Sequence, residues 1–262
     1  MLSILPYIGS KREDIPKFKD FLPKNIKKII EPFGGGSSLS LYLFNENNKI
    51  KIHVNDIDEK LFTYYTQMKE DYKKQIDKYN ELLTSIKDDK EKFNKIIKEY
   101  KENKHPPELH GAYYLFRNKV HGIRMDLAPI ATQKNKNIDI NNYLVYQNFL
   151  KVADFTIKDY KDVFNEYKDD KTAFIFLDPP YFSSFNAFYI NYEGTQKEED
   201  NTKMYIDILD LLNCAKCKVL LIINSNAITN YIYSKYIKGT YNKIYQFTKK
   251  KAVHLIITNY KI

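Results

Sequence analysis

Apolar-rich runs of five residues recur along the chain at 26–30 (IKKII), 51–55 (KIHVN), 173–177 (AFIFL), 219–223 (VLLII) and 254–258 (HLIIT). The first leads into Glu31-Pro32-Phe33-Gly34-Gly35-Gly36-Ser37-Ser38 and then LSLYLF, which reads as strand, tight glycine turn and helix. The second ends in Asp56-Ile57-Asp58 before a helix-like stretch from Glu59, so the two runs make a βαβ unit. Strands that are apolar almost throughout, separated by helical stretches, predict a parallel-type sheet buried on both faces.

Between the second and third runs the pattern changes. Residues 69–104 are rich in Lys, Glu, Asp and Tyr, with Ile76, Leu82, Leu83, Ile86, Phe93, Ile96 and Ile97 at helical spacing. One or two exposed amphipathic helices are predicted there, ending at His105-Pro106-Pro107. Residues 111–150 mix aromatic side chains, Asn and basic residues without a clean period and are read as helix followed by loop. The polar stretch 190–203, INYEGTQKEEDNTK, is read as a loop. No internal repeat is present.

A chain of 262 residues can hold one large α/β domain or two small ones. No apolar run reaches the roughly 18 residues of a membrane-spanning helix, and residues 1–14 lack a basic segment ahead of an adequate apolar one, so neither a membrane anchor nor a secretory signal is expected. Two cysteines, Cys214 and Cys217, cannot build a disulfide framework and point to a reducing, cytoplasmic setting. Their CxxC spacing lacks a second ligand pair, and the histidines at 53, 105, 110, 121 and 254 show no metal spacing, so no metal is expected. The net charge of +9 is compatible with a polyanionic partner. Arg occurs only at 12, 117 and 124, and with abundant Lys, Asn, Ile and Tyr this is also what an AT-rich bacterial or viral genome would encode. The arginines therefore stand out as planar, bidentate donors in a chain that otherwise uses Lys.

The glycine turn would let backbone approach a ligand, with helix-terminal N–H groups facing it. Asp56, about 20 residues on at the end of the next strand, stands where a ribose-binding carboxylate is expected. Together they point to an adenosine-containing cofactor. Glu31, just before the turn, suits a cationic ligand better than a pyrophosphate, and an adenosine carrying a sulfonium amino acid is such a ligand. The strongest motif is Asp178-Pro179-Pro180-Tyr181, directly after AFIFL, at the strand end where open α/β sheets bind ligands. Two prolines fix φ and present carbonyls without adjacent N–H partners. Asp178 and the Pro179 carbonyl could accept both hydrogens of a planar exocyclic amine and return electron density to its delocalised nitrogen, while Tyr181 stacks on the ring.

With these motifs the chain resembles the Dam-like family of DNA adenine methyltransferases, in the motif order of its α group. Tyr7-Ile8-Gly9-Ser10-Lys11 is similar to the N-terminal motif, EPFGGGSS to the methionine-binding loop, VNDID to the ribose-binding acid and DPPY to the catalytic motif. The resemblance implies a Rossmann-like α/β sheet, S-adenosylmethionine (SAM) as cofactor, double-stranded DNA as partner and the N6 amine of adenine as methyl acceptor. It also implies functional roles for Tyr7, Lys11, Phe33, Gly34, Gly35, Gly36 and Asp56. Asp159-Tyr160, in FTIKDY, is similar to the pair that holds the cofactor's adenine. The family loop reads FxGxG, and here Ser37 stands at its last glycine.

Residues 111–150 fall where the family carries target recognition, which makes Arg117, Arg124, Lys134 and Lys136 the expected DNA contacts. The expected organisation is a catalytic domain of 1–65 and 150–262 with a helical insertion and recognition region of 66–149, acting as a monomer or weak dimer. Two alternatives stay open. One is methylation of another planar amine or amide, such as an RNA base or a protein glutamine. The other is a catalytically silent DNA-binding homologue.

Overall fold

A computed structural model describes residues 3–7, 9–86, 89–121, 137–180, 201–244 and 251–262. The strands are β1 (Lys28–Glu31), β2 (Lys51–Asn55), β3 (Asp154–Thr156), β4 (Ala173–Leu177), β5 (Lys218–Asn224), β6 (Ile237–Ile244) and β7 (Lys251–Thr258). They form one sheet in the order β3-β2-β1-β4-β5-β7-β6. Strands β1 to β5 pair in parallel, with Ile29 opposite Ile52 and Phe174 in neighbouring strands. The HLIIT run is antiparallel to β5 and hairpins with β6, so the sheet ends in an antiparallel ribbon rather than a further parallel strand.

The helices are α1 (Ile15–Phe18), α2 (Ser38–Glu46), α3 (Glu59–Glu70), α4 (Tyr72–Ser85), α5 (Lys90–Lys101), α6 (His110–Phe116), α7 (Leu144–Val152), α8 (Tyr160–Tyr167), α9 (Thr202–Cys214) and α10 (Ala227–Ile232). Asp58, Asp71, Asp89 and Asp159 cap α3, α4, α5 and α8, each accepting from a first-turn backbone N–H. The helical periodicity of 69–104 thus resolves into α4 and α5. Of residues 111–150, 122–136 lie outside the described residues; before them α6 runs into a π-helical turn at Arg117–His121, and after them a short 3-10 turn leads into α7, so the segment ends in a helix rather than the expected loop. Likewise Thr202 and Lys203, expected in a loop, open α9, while 190–200 lie outside the described residues.

Alternation along the strands builds two cores. Ile29, Ile52, Phe174, Phe176, Leu220 and Ile222 face one way and pack with side chains from α2 to α7. Ile30, Ile175, Leu177, Leu221 and Ile223 face the other way, against Val163 and Phe164 of α8 and Met204, Tyr205 and Ile208 of α9. Burial on both faces is why these strands read as continuous apolar runs. No helix among the described residues is long and apolar enough to cross a membrane.

Candidate active site

The carboxyl ends of β1, β2 and β4 lie side by side, with Glu31 closing β1, Asp56 following β2 and Asp178 following β4. Connections leave the sheet in opposite directions on the two sides of the β1–β4 pair, which is where doubly wound sheets open a ligand crevice.

The glycine turn is tied to this edge by its own backbone. Gly34 N–H donates to the Asn55 carbonyl at 2.7 Å, and Gly35 N–H donates to Asp56 Oδ2 at 2.8 Å. Asp56 Oδ1 accepts from Asp58 N–H at 3.0 Å. Burial pushes the Asp56 carboxyl upward, against the backbone N–H groups of Asp58 and Gly35 that favour its charge. Gly35 has a φ of +46°, and a Cβ there would lie 2.8 Å from Tyr7 Cε1, so both conformation and contact require glycine. Tyr7 is thereby placed across the turn.

Ser37 also takes a left-handed conformation, with φ +49°. The departure from the family loop therefore keeps the backbone a glycine would adopt. Its compensation is Tyr65 of α3, whose hydroxyl donates to Gly35 O at 2.7 Å and lies 3.1 Å from Ser37 Oγ. Because the one Tyr65 proton goes to the carbonyl, Ser37 must donate to Tyr65. Sequence reasoning missed Tyr65, although Leu61, Tyr64, Tyr65 and Met68 form the buried stripe of α3.

Glu31 is 2% exposed, and its Oε1 accepts from Ser40 N–H in the first turn of α2 at 2.7 Å. Burial pushes its carboxyl up to about 7, the Ser40 N–H hydrogen bond opposes this, and the nearby Asp178 charge adds to it. A carboxylate so poorly compensated gains from a cationic neighbour.

Lys11 reaches the same place from the N-terminal segment. Ser10 Oγ and Ser38 Oγ are 2.7 Å apart, and the Lys11 carbonyl accepts from Asp14 and Ile15 N–H, so the segment is docked on α2 while it opens α1. The buried Lys11 ammonium donates to Asp178 Oδ1 and, at 3.2 Å, to the Gly9 carbonyl. Burial lowers the Lys11 ammonium and raises the Asp178 carboxyl, and each charge opposes the other's shift. Pro179 is buried, and the Pro180 carbonyl accepts from Tyr205 of α9 at 3.0 Å. Tyr181 lies outside the described residues.

Phe33 meets Tyr160 with ring centroids 5.3 Å apart and Phe164 edge-on at 6.5 Å. Tyr160 donates to Asp207 Oδ2 at 2.8 Å, and Asp159 accepts from Lys161 N–H at 2.8 Å as the cap of α8. Arg117 begins the π-helical turn, where its guanidinium donates to Asn118 Oδ1 at 3.0 Å and Asn118 donates to Tyr114 O at 2.8 Å. Arg124, Lys134 and Lys136 lie outside the described residues. Cys217, 2% exposed, sits at the opposite sheet edge just before β5, and Asn259, just after the antiparallel β7, meets it there, donating to Cys217 O and accepting from Val219 N–H. Neither is brought to the site.

The sheet and this edge are those of a Rossmann-like methyltransferase. The residues gathered there run from Tyr7 to Asp178, and the chain belongs to the D12 class N6 adenine-specific DNA methyltransferase family, matching it over residues 7–253. It is 26% identical over 278 aligned positions to the type II methyltransferase M.CviBI of Paramecium bursaria Chlorella virus NC1A, an alignment covering 99% of this chain and 100% of that one. It is 28% identical over 232 positions, 79% of each chain, to the type II methyltransferase M.MjaIII of Methanocaldococcus jannaschii. The protein is an adenine-specific DNA methyltransferase.

Proposed function

We propose that the β1–β4 crevice binds SAM and a single extrahelical adenine, and that Asp178 and the Pro179 carbonyl present the adenine amine for methylation. The residues fit the cofactor. At Gly34, Gly35 and Gly36 a Cβ would run into Val54 or Tyr7, so the turn stays bare backbone beside the Asp56 carboxylate, and Phe33 with Tyr160 forms an aromatic wall. Glu31 supplies negative charge for a cationic ligand. When bound, SAM supplies an electrophilic methyl group on a positive sulfur.

The chain's own groups would then act as follows. Because Lys11 holds Asp178 Oδ1, the amine's acceptors are Asp178 Oδ2 and the Pro179 carbonyl. These bonds localise the nitrogen lone pair, and the Asp178 charge offsets the positive charge that develops as the N–C bond forms and the S–C bond breaks. The departing amine proton is passed along the Asp178 carboxylate to solvent. Tyr181 supplies the stacking surface. Adenine must leave the duplex to reach this edge, at a cost of a few kcal/mol. The recognition role falls to residues 66–149, with Arg117 and Arg124 reading bases and Lys134 and Lys136 holding phosphates.

The observation that carries the reading is that the glycine turn, Glu31, Asp56, Lys11 and Asp178 converge on one edge although they come from positions 11 to 178. The test is transfer of labelled methyl from SAM to a duplex, with SAM affinity measured by calorimetry. Asp178→Ala should bind SAM and transfer nothing. An Asp178→Ala chain that methylates at the wild-type rate refutes the assignment.

A further inference from the structure

Helix α9 reaches the candidate site at two points, neither of which belongs to a sequence motif. Tyr205, 1% exposed, donates its hydroxyl to the Pro180 carbonyl, and its own carbonyl receives the Tyr233 hydroxyl at 2.9 Å. Two residues on, Asp207 accepts the Tyr160 hydroxyl and pairs with Lys161 at 3.3 Å. Residues separated by two on a helix point to opposite flanks, roughly 200° apart. One flank of α9 therefore touches the Asp-Pro-Pro turn, and the other touches the aromatic pair at the cofactor end.

Proline fixes φ and offers no N–H, so in Asp178-Pro179-Pro180 the Pro179 and Pro180 carbonyl directions are set by ψ alone. The two prolines supply no backbone donor of their own to hold them. The Tyr205 hydroxyl is an external donor that does so, and its length makes it a strut from a packed helix to the one carbonyl between the acceptor Pro179 and the stacking residue Tyr181. Tyr233 fixes the backbone from which the strut projects.

We propose that Tyr205 is a positioning residue for methyl transfer. It fixes the Pro180 carbonyl so that the Asp178 and Pro179 acceptors keep one geometry, while Asp207 steadies Tyr160 on the cofactor side. This inference rests on the site assignment made above.

The test uses the full chain as Tyr205→Phe, Asp207→Asn and Asp178→Ala. Tyr205→Phe keeps the ring in its core position and removes only the hydroxyl. We expect its kcat on duplex DNA to fall roughly three- to tenfold, as for one lost hydrogen bond, with an unchanged calorimetric Kd for SAM. Asp207→Asn is expected to raise that Kd at least about threefold. Wild-type kcat in Tyr205→Phe overturns the inference. So does a parallel loss of kcat and SAM affinity in both variants, which would mark α9 as mere scaffold. Asp178→Ala separates the two claims: if it stays active the site assignment fails, and if it is inactive while Tyr205→Phe is fully active only the role of Tyr205 fails.

Discussion

Replacing Glu31 with Gln should make the ligand-free protein more stable at alkaline pH and leave it unaltered at acid pH. Glu31 is 2% exposed, and its carboxyl is raised from an ordinary value of 4.5 to about 7, first by burial and then by the Asp178 charge. A folded-state pKa above the unfolded one means that the group's stabilising contribution is complete below 4.5 and is lost as pH rises through 7. At about 1.4 kcal/mol for each unit of difference, the ionised Glu31 costs the fold on the order of 3 kcal/mol at pH well above 7. Gln has nearly the same shape, cannot ionise, and can still accept from Ser40 N–H through its amide oxygen. In a domain of this size the gain corresponds to a rise in Tm of roughly 4–10 °C. The assay is thermal unfolding of both proteins, without cofactor, from about pH 4.5 to 8.5. The difference in Tm should be near zero at the acid end and open progressively through neutrality. The same substitution should weaken SAM binding, because the negative charge that burdens the empty fold is what a cationic ligand neutralises. A Tm difference that stays constant across that range would show that Glu31 does not titrate as its surroundings require, and the reasoning would fail.

Other expectations follow from the same edge. Asp56→Ala should weaken SAM binding by roughly tenfold to a hundredfold, since it removes a charged acceptor and frees Gly35 N–H; an unchanged Kd would contradict the ribose assignment. Arg124→Ala, and secondarily Arg117→Ala, should lower methylation of the cognate sequence and narrow its margin over noncognate DNA by about 1–3 kcal/mol. Equal losses on every sequence would make these arginines phosphate contacts, and a lowered Tm for Arg117→Ala would give that residue a folding role instead.

The parts of the fold legible in the sequence were those in which burial leaves a one-dimensional trace. β4 and β5 are buried on both faces and read as AFIFL and VLLII. β6, IKGTYNKI, is an edge strand with mostly exposed or half-buried positions, and β3 has three residues, so neither forms an apolar run. The antiparallel direction of β7 depends on its pairing with β6, which local pattern does not report. The candidate site was legible where chemistry sits at a strand end, at Glu31, Asp56 and Asp178. Its supports were not. Tyr65, Tyr205 and Asp207 act across 30, 25 and 47 positions, and nothing separates them from the other tyrosines and carboxylates of a Tyr- and Asp-rich chain. Ser37 shows the converse: by sequence it departs from a glycine position, yet its backbone takes the glycine conformation and a neighbouring tyrosine secures it.

The central claim is that this chain methylates adenine in DNA through Asp178, and nucleoside mass spectrometry of DNA from expressing cells tests it most directly. Host strains lacking their own adenine methylation would receive the wild-type chain or Asp178→Ala, matched for soluble protein and for SAM binding. N6-methyladenine should appear with the wild type and remain at background with Asp178→Ala. Absence of N6-methyladenine with a folded, SAM-binding wild type, or equal amounts from both chains, would contradict the account.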